Sequence, residues 1–242
     1  MIDDPALRVW TRVAEQSRGA PVTLAHVCAA MVVGVPVDGA GLTVMVSTTV
    51  WETMHATDEV ATGLEELQLT LGQGPCVDTF TLDGPVLVPD LEATAALARW
   101  PAFAPAALDT GARAIFAVPL QLGAIRWGAV DLYRAARGSL SEQGVADALA
   151  FADAASMLLL DGMAGVPPEV AELAWQHADP TANQAQVHEA TGMIMVQLGI
   201  GADAAFARLR GYAFAHERRL GDVARDVVDR RLRFHPDGAG PP

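Results

Sequence analysis

Apolar residues along this chain recur at helical spacing, then in alternation, then at helical spacing again. Leu7, Trp10, Val13 and Ala14 mark one face of a helix over 5–18, and Leu24, Val27, Cys28 and Met31 mark a second over 23–33. Val37-Asp38-Gly39-Ala40-Gly41 reads as a turn into an alternating, β-branched strand over 42–46. A shorter strand near 53–56 precedes a helix over about 58–70. Leu71-Gly72-Gln73-Gly74-Pro75-Cys76 then reads as a glycine–proline turn. Pro85 and Pro89 bracket a short strand and place it near a sheet edge or end. A helical stretch over 94–110 is interrupted by Pro101 and Pro105, and strands over 114–120 and 127–133 are joined near Gly123. A long helix from Ser141 to about Met163 closes the region, with Ser141 suited to cap it and Glu142 placing charge near its N-terminus. Helices at both ends with antiparallel strands between them predict an α+β domain over 1–165.

Pro167-Pro168 and Asp179-Pro180 break the pattern, so 166–181 reads as a linker or connecting helix. Beyond it the periodicity is purely helical. Val187, Ala190, Ile194 and Leu198 form one stripe, ended by Gly199. Ala202, Ala205, Phe206, Leu209 and Ala213 form a second, and Leu220, Val223, Ala224 and Val227 a third. These predict an all-α three-helix bundle over 182–235, followed by a disordered tail over 236–242.

Composition adds three constraints. Hydrophobic residues make up 51% of the 242 and charged residues 19%, enough apolar surface for most of the chain to fold. Asp3 and Asp4 stand where a signal peptide would need positive charge, and no apolar run reaches membrane-spanning length, so a cytoplasmic protein without membrane contact is expected. Cys28 and Cys76 have no metal-ligand spacing and are too few for a disulfide framework, which fits a reducing compartment.

Charge is divided unevenly. All 16 basic residues are arginine, and the net charge of −13 argues against a general nucleic-acid binder. Residues 183–235, however, hold eight arginines against six acids, a surplus of +2 that leaves −15 on the rest. The acidity belongs to the front of the chain and the basic surplus to the back.

The C-terminal residues carry a family resemblance. Glu189-Ala190-Thr191-Gly192-Met193-Ile194-Met195 with Gln197-Leu198-Gly199, then Ala204-Ala205-Phe206 with Leu209-Arg210, then Leu220 with Val223-Ala224-Asp226-Val227-Val228 resemble the successive helices of ANTAR domains. The resemblance covers about 182–234. It implies hairpin-RNA binding in transcription antitermination, usually as a homodimer under the control of an attached sensory domain. Two positions depart from the pattern: Thr191 stands where many members carry lysine, and Gly201 takes the N-cap of the second helix. The N-terminal order of elements resembles a GAF domain. So do Val37-Asp38-Gly39-Ala40-Gly41-Leu42, Leu71 to Cys76, Pro85 to Leu91 and Ala117-Val118-Pro119-Leu120. A GAF fold implies a small-molecule ligand over the sheet or a dimerisation platform. The asparagine–lysine motif of cyclic-nucleotide GAF domains is excluded by the absence of lysine, and no tetrapyrrole attachment site is evident.

For RNA, the candidate contacts are Arg208, Arg210, Tyr212, Phe214, His216, Arg218, Arg219 and Arg225. Arg208 and Tyr212 are four apart, as are Arg210 and Phe214, a spacing suited to a phosphate contact beside a stacked loop base. The competing reading has Asp222–Arg225, Asp226–Arg230 and Asp229–Arg233 neutralise one another, leaving a GAF-based signalling protein whose C-terminal module binds a protein partner. Cys76 is a possible redox-sensitive thiol or, more plainly, a small buried hydrophobe. His26 and His55 are isolated, and Glu65-Glu66 reads as a solvated helix face. No cofactor or metal site is expected. Nor is an enzyme: there is no nucleotide-binding glycine loop or nucleophile elbow, and two cysteines do not supply the active cluster of GAF-fold methionine sulfoxide reductases.

Overall fold

A computed structural model describes residues 5–45, 51–82, 84–123, 125–163, 182–216, 218–235 and 238–240. The chain divides into two compact units, Met1–Gly165 and Val166–Pro242. The segment 166–181, read above as a linker or connecting helix, lies outside the described residues.

In the first unit, α1 (Pro5–Ser17) and α2 (Leu24–Gly34) lead into β1 (Gly39–Met45) and β2 (Trp51–Ala56). Four helices and a strand follow: α3 (Glu59–Leu71), α4 (Pro75–Leu82), β3 (Val86–Val88), α5 (Thr94–Arg99) and α6 (Phe103–Asp109). The hairpin β4 (Ala114–Leu122) and β5 (Ile125–Arg134) and the long α7 (Glu142–Met163) complete it. The strands form a five-stranded sheet in the order β2-β1-β5-β4-β3, antiparallel throughout. This is the α+β architecture that the GAF resemblance implies. Helices α1, α2 and α7 pack together, with α2 and α7 against the sheet, while α3 and α4 also lie on strands.

The ends of the elements follow from local chemistry. Ser141 Oγ accepts from the Gly144 N–H at 3.1 Å, the cap anticipated from sequence. Asp58 accepts from the Ala61 N–H at 2.8 Å and opens α3, which stops at Gly72 with φ 61°. His26 is occupied at the start of α2, where its Nδ1 accepts from the Thr23 N–H at 3.2 Å. Pro119 lies beyond the short β3, which pairs only with residues 115–117 of β4.

Three expectations change. Strand β1 begins at Gly39, inside the anticipated turn, and all seven of its residues are buried. The glycines serve close approach: a Cβ on Gly39 would strike Asp58 and Tyr133, and one on Gly41 would strike the Glu65 carboxylate. The Leu71–Cys76 turn ends early, because Pro75 starts α4, a position where its missing N–H is harmless. Finally, α7 is long and apolar enough to cross a membrane by length and composition. Ala148, Phe151, Ala152, Ala155 and Leu159 nevertheless form a buried stripe on it, as in a core helix.

The second unit comprises α8 (Ala182–Leu198), α9 (Ala202–Ala215) and α10 (Leu220–Val228), which pack pairwise, and the hairpin β6 (Arg233–His235) and β7 (Gly238–Gly240). Val187, Ala190 and Ile194 bury from α8, Ala205, Phe206, Leu209 and Ala213 from α9, and Leu220, Val223, Ala224 and Val227 from α10. Gly199 ends α8 at φ 66°, and Gly201 caps α9 without a side-chain bond. The tail predicted to be disordered from 236 instead contributes residues 238–240 as a paired strand. Leu232 and Phe234 are buried ahead of it, and the Phe234 N–H donates to Gln197 Oε1 at 2.8 Å, fastening β6 to α8.

Gly41→Ala therefore lowers unfolding stability by about 1–3 kcal/mol, since the buried Glu65 must move. Gly63→Ala, whose Cβ meets nothing closer than Thr110 Cγ2 at 3.8 Å, raises it by roughly 0.5–1 kcal/mol through helix propensity. Paired urea denaturation curves check both. A second outcome concerns Glu52 on β2, whose carboxyl is pushed from 4.5 to about 7 by burial. The folded form keeps this proton where the unfolded chain has released it, so this group's contribution falls as pH rises through that interval. Glu52→Gln removes the loss. Its melting temperature relative to the parent rises between pH 4.5 and pH 8, and equal differences at the two pH values contradict the assignment.

Candidate functional site

Helix α9 carries four of the eight residues anticipated to meet RNA, and the structure sorts them. Arg208 is exposed. Tyr212 does not pair with it: its ring stacks on His216 at 3.9 Å and meets Phe234 edge-on at 5.6 Å. His216 Nδ1 lies 2.9 Å from the Tyr212 carbonyl oxygen, so the exposed imidazole stays against the end of α9. Arg210 is half-buried, its guanidinium 5.5 Å from the centre of the Phe206 ring, and burial lowers its pKa. The expected Arg210–Phe214 pair is thus replaced by Arg210–Phe206. Phe214 stands 60% exposed and remains available for stacking.

The third helix holds its charges differently from the predicted i,i+4 ladder. Arg225 Nη1 lies 3.4 Å from Asp222 Oδ1, as spacing suggested. Asp226, however, is shared by Arg218, from the turn before α10, and Arg231, from beyond it, each at 2.7 Å. The Arg218 hydrogen bond, aided by Arg231, holds its carboxyl below the usual range. Asp229 pairs with Arg231 at 2.6 Å, not with Arg233. The cause is the end of α10 at Val228: Arg230 has φ 60°, outside the helical turn on which four-residue spacing depends. Of the predicted contacts, Arg218 and Arg225 are engaged internally, while Arg208 and Arg219 are exposed and carry no ion pair among the described residues.

Sequence reasoning assigned Arg230 and Arg233 to acids, and the structure releases both. They join Glu189, Gly192, Met193, Val196, Gln197 and Leu232 around an open groove of about 570 Å³ on α8. Its floor is apolar and Val196 is 85% exposed. The departure Thr191 lies on the same helix, where its hydroxyl donates to the Val187 carbonyl at 2.7 Å. It replaces a charged side chain with one turned back on the helix.

In the first unit, the sheet face beneath α3 and α4 contains a polar cluster that the sequence did not announce. Glu65 is 4% exposed, and Thr43 Oγ1 donates to its Oε2 at 2.6 Å. Thus Glu65 is no solvated residue: Gly41 and Thr43 leave the space into which it reaches. Asp131, opposite Gly41 in the strand register, accepts from Gln68 Nε2 at 2.7 Å through Oδ2. The same Gln68 accepts from the Cys76 N–H at 2.8 Å. Burial, reinforced by the charge of Asp131, raises Glu65 well above the carboxylate range, and burial raises Asp131 as well. Cys76 is fully buried, and its thiol is pushed well up by burial and by the charges of Asp131 and Glu65. A raised thiol pKa disfavours the thiolate that redox sensing uses, and burial agrees with the plainer reading of a small buried side chain. Cys28 is buried as well and is raised to about 12, mainly by burial. His55 is half-buried and lowered for the same reason.

No curated protein matches this sequence. Among solved structures, the chain is similar to the GAF domain of a phosphoenolpyruvate-protein phosphotransferase from Coxiella burnetii. The identity is 15% and the TM-score 0.48, covering 66% of this chain and 95% of that one. It is also similar to the GAF domain of the phosphoenolpyruvate-protein phosphotransferase from Acinetobacter, at 10% identity and a TM-score of 0.48, covering 67% and 98%. Residues 181–228, which take in α8 to α10, match the family model of the ANTAR domain. The second unit therefore contains the segment that matches the ANTAR domain, and the first is built on an antiparallel five-stranded sheet with helices packed on it.

Proposed function

We propose that the protein is a non-enzymatic, cytoplasmic regulator. In this reading the ANTAR domain binds hairpin RNA in nascent transcripts, and the GAF-like unit gates that binding in a homodimer to control antitermination. The ANTAR match over 181–228 carries the reading. The distribution of arginines supports it. Arg208, Arg219, Arg230 and Arg233 are exposed without an acidic partner among the described residues, as phosphate contacts require. Phe214 supplies an exposed ring for an unpaired base.

A second reading rests on the ion pairs: with Arg218, Arg225 and Arg231 neutralised internally, the module presents less charge than its arginine count suggests. In that case it docks a protein instead.

Titration of the full chain with short RNA hairpins at several salt concentrations separates the two. On the RNA reading, affinity falls with salt, and each of Arg208→Ala, Arg219→Ala, Arg230→Ala and Arg233→Ala that removes a phosphate contact shallows the logarithmic salt slope by about one. Arg218→Ala lowers stability through Asp226 while changing that slope less. Absence of hairpin binding even at low salt rejects the RNA reading in favour of the protein partner.

A further inference from the structure

We propose that Glu65, Cys76 and Asp131 form a binding site for one divalent transition-metal ion of the zinc class. Each side chain offers one ligand atom, and these atoms all lie within 4.8 Å of one another. All three residues are buried, and they reach the cluster from α3, α4 and β5. Their convergence is a product of the fold rather than of local spacing.

The site is oriented as metal ligands usually are, by a second layer of hydrogen bonds. Thr43 holds one oxygen of Glu65, and Gln68 holds one oxygen of Asp131 while fixing the Cys76 backbone. The remaining oxygen of Asp131, Oδ1, is buried and has no partner outside the cluster, so only the protons of Glu65 and Cys76 can reach it. Two buried acids and a thiol held together only by their own protons form a place that a cation can take in exchange for those protons. The chain has no lysine to supply one, and no arginine contributes to the electrostatic environment of these three groups.

The donor set selects the ion. Calcium and magnesium want six or more oxygens, whereas two carboxylates and a thiolate suit zinc and its neighbours in the first transition row. The Met45 thioether, 3.8 Å from Cys76 Sγ, adds a soft atom beside the site. Charge balances as well. With Glu65 protonated, Cys76 as thiol and Asp131 ionised, the cluster carries −1. A divalent ion displaces the Glu65 and Cys76 protons to solvent and leaves the buried charge at −1.

The inference is independent of RNA binding and is tested on the full chain. Chelator-stripped protein is loaded with Co²⁺ both directly and by refolding from urea, since a buried site fills most readily as the chain closes. One equivalent of Co²⁺ is expected to survive desalting, give thiolate-to-cobalt absorption in the near ultraviolet, and be displaced by Zn²⁺. Cys76→Ser abolishes that absorption, Glu65→Gln and Asp131→Asn weaken binding by at least about tenfold, and Gln68→Ala weakens it about 10–100-fold while keeping the band. Circular dichroism identifies any variant that fails to fold, and the parent protein alone is decisive in that event. Folded parent protein that retains no ion by either route overturns the site, leaving two acids that share a proton. A thiolate band that persists in Cys76→Ser overturns it equally.

Discussion

The close seating of α3 on β1 is the constraint on which the first unit depends. A helix can lie this near a strand only where the strand has no side chains in the way, and Gly39 and Gly41 provide that at two points along one face. The first receives the Asp58 and Tyr133 side chains, the second the Glu65 carboxylate. Once Glu65 is inside, the surrounding polar groups must answer it, and Thr43, Gln68 and Asp131 form one connected set. Gln68 extends that set to the first turn of α4, so the two helices and the sheet are held by a single amide. Such a network is costly when incomplete, and the second oxygen of Asp131 is met only from within the cluster.

The second unit is organised on another principle. Its core is apolar and its helices are short, so its charged groups settle at the periphery. Asp226 ties the chain before α10 to the chain after it, using two arginines that would otherwise face solvent. This divides the arginines into those that hold the fold and those left facing solvent. Partly exposed ion pairs contribute modestly to stability, but a carboxylate shared by two guanidiniums is better placed than an isolated pair.

Much of this was legible in the residues. The apolar stripes of the last three helices appear in the core with little change, and the strands and the Ser141 cap fall close to where alternation and composition put them. What could not be read depends on contacts distant in sequence. Adjacent acids such as Glu65-Glu66 look solvated in isolation, and only the missing side chain at Gly41 shows that one turns inward. Glycines adjoining a turn signal look like part of the turn, although their role is to admit a neighbour. Pairing by helical spacing failed for Arg230 and Arg233 because it presumes a helix that has already ended. The aromatic residues of α9 were assigned by spacing to arginines, whereas Phe234, from beyond the bundle, takes one face of Tyr212.

That last residue bears on where this module begins and ends. Similarity to the ANTAR domain stops at residue 228, yet Leu232 and Phe234 complete the hydrophobic interior, and Arg231 braces the helix from outside the matched segment. The matched stretch and the stretch that shares one interior are therefore not the same length. The matched segment holds the three helices, and the residues after it close over them as a strap. Boundaries drawn from resemblance alone would cut through the interior of the module they are meant to delimit.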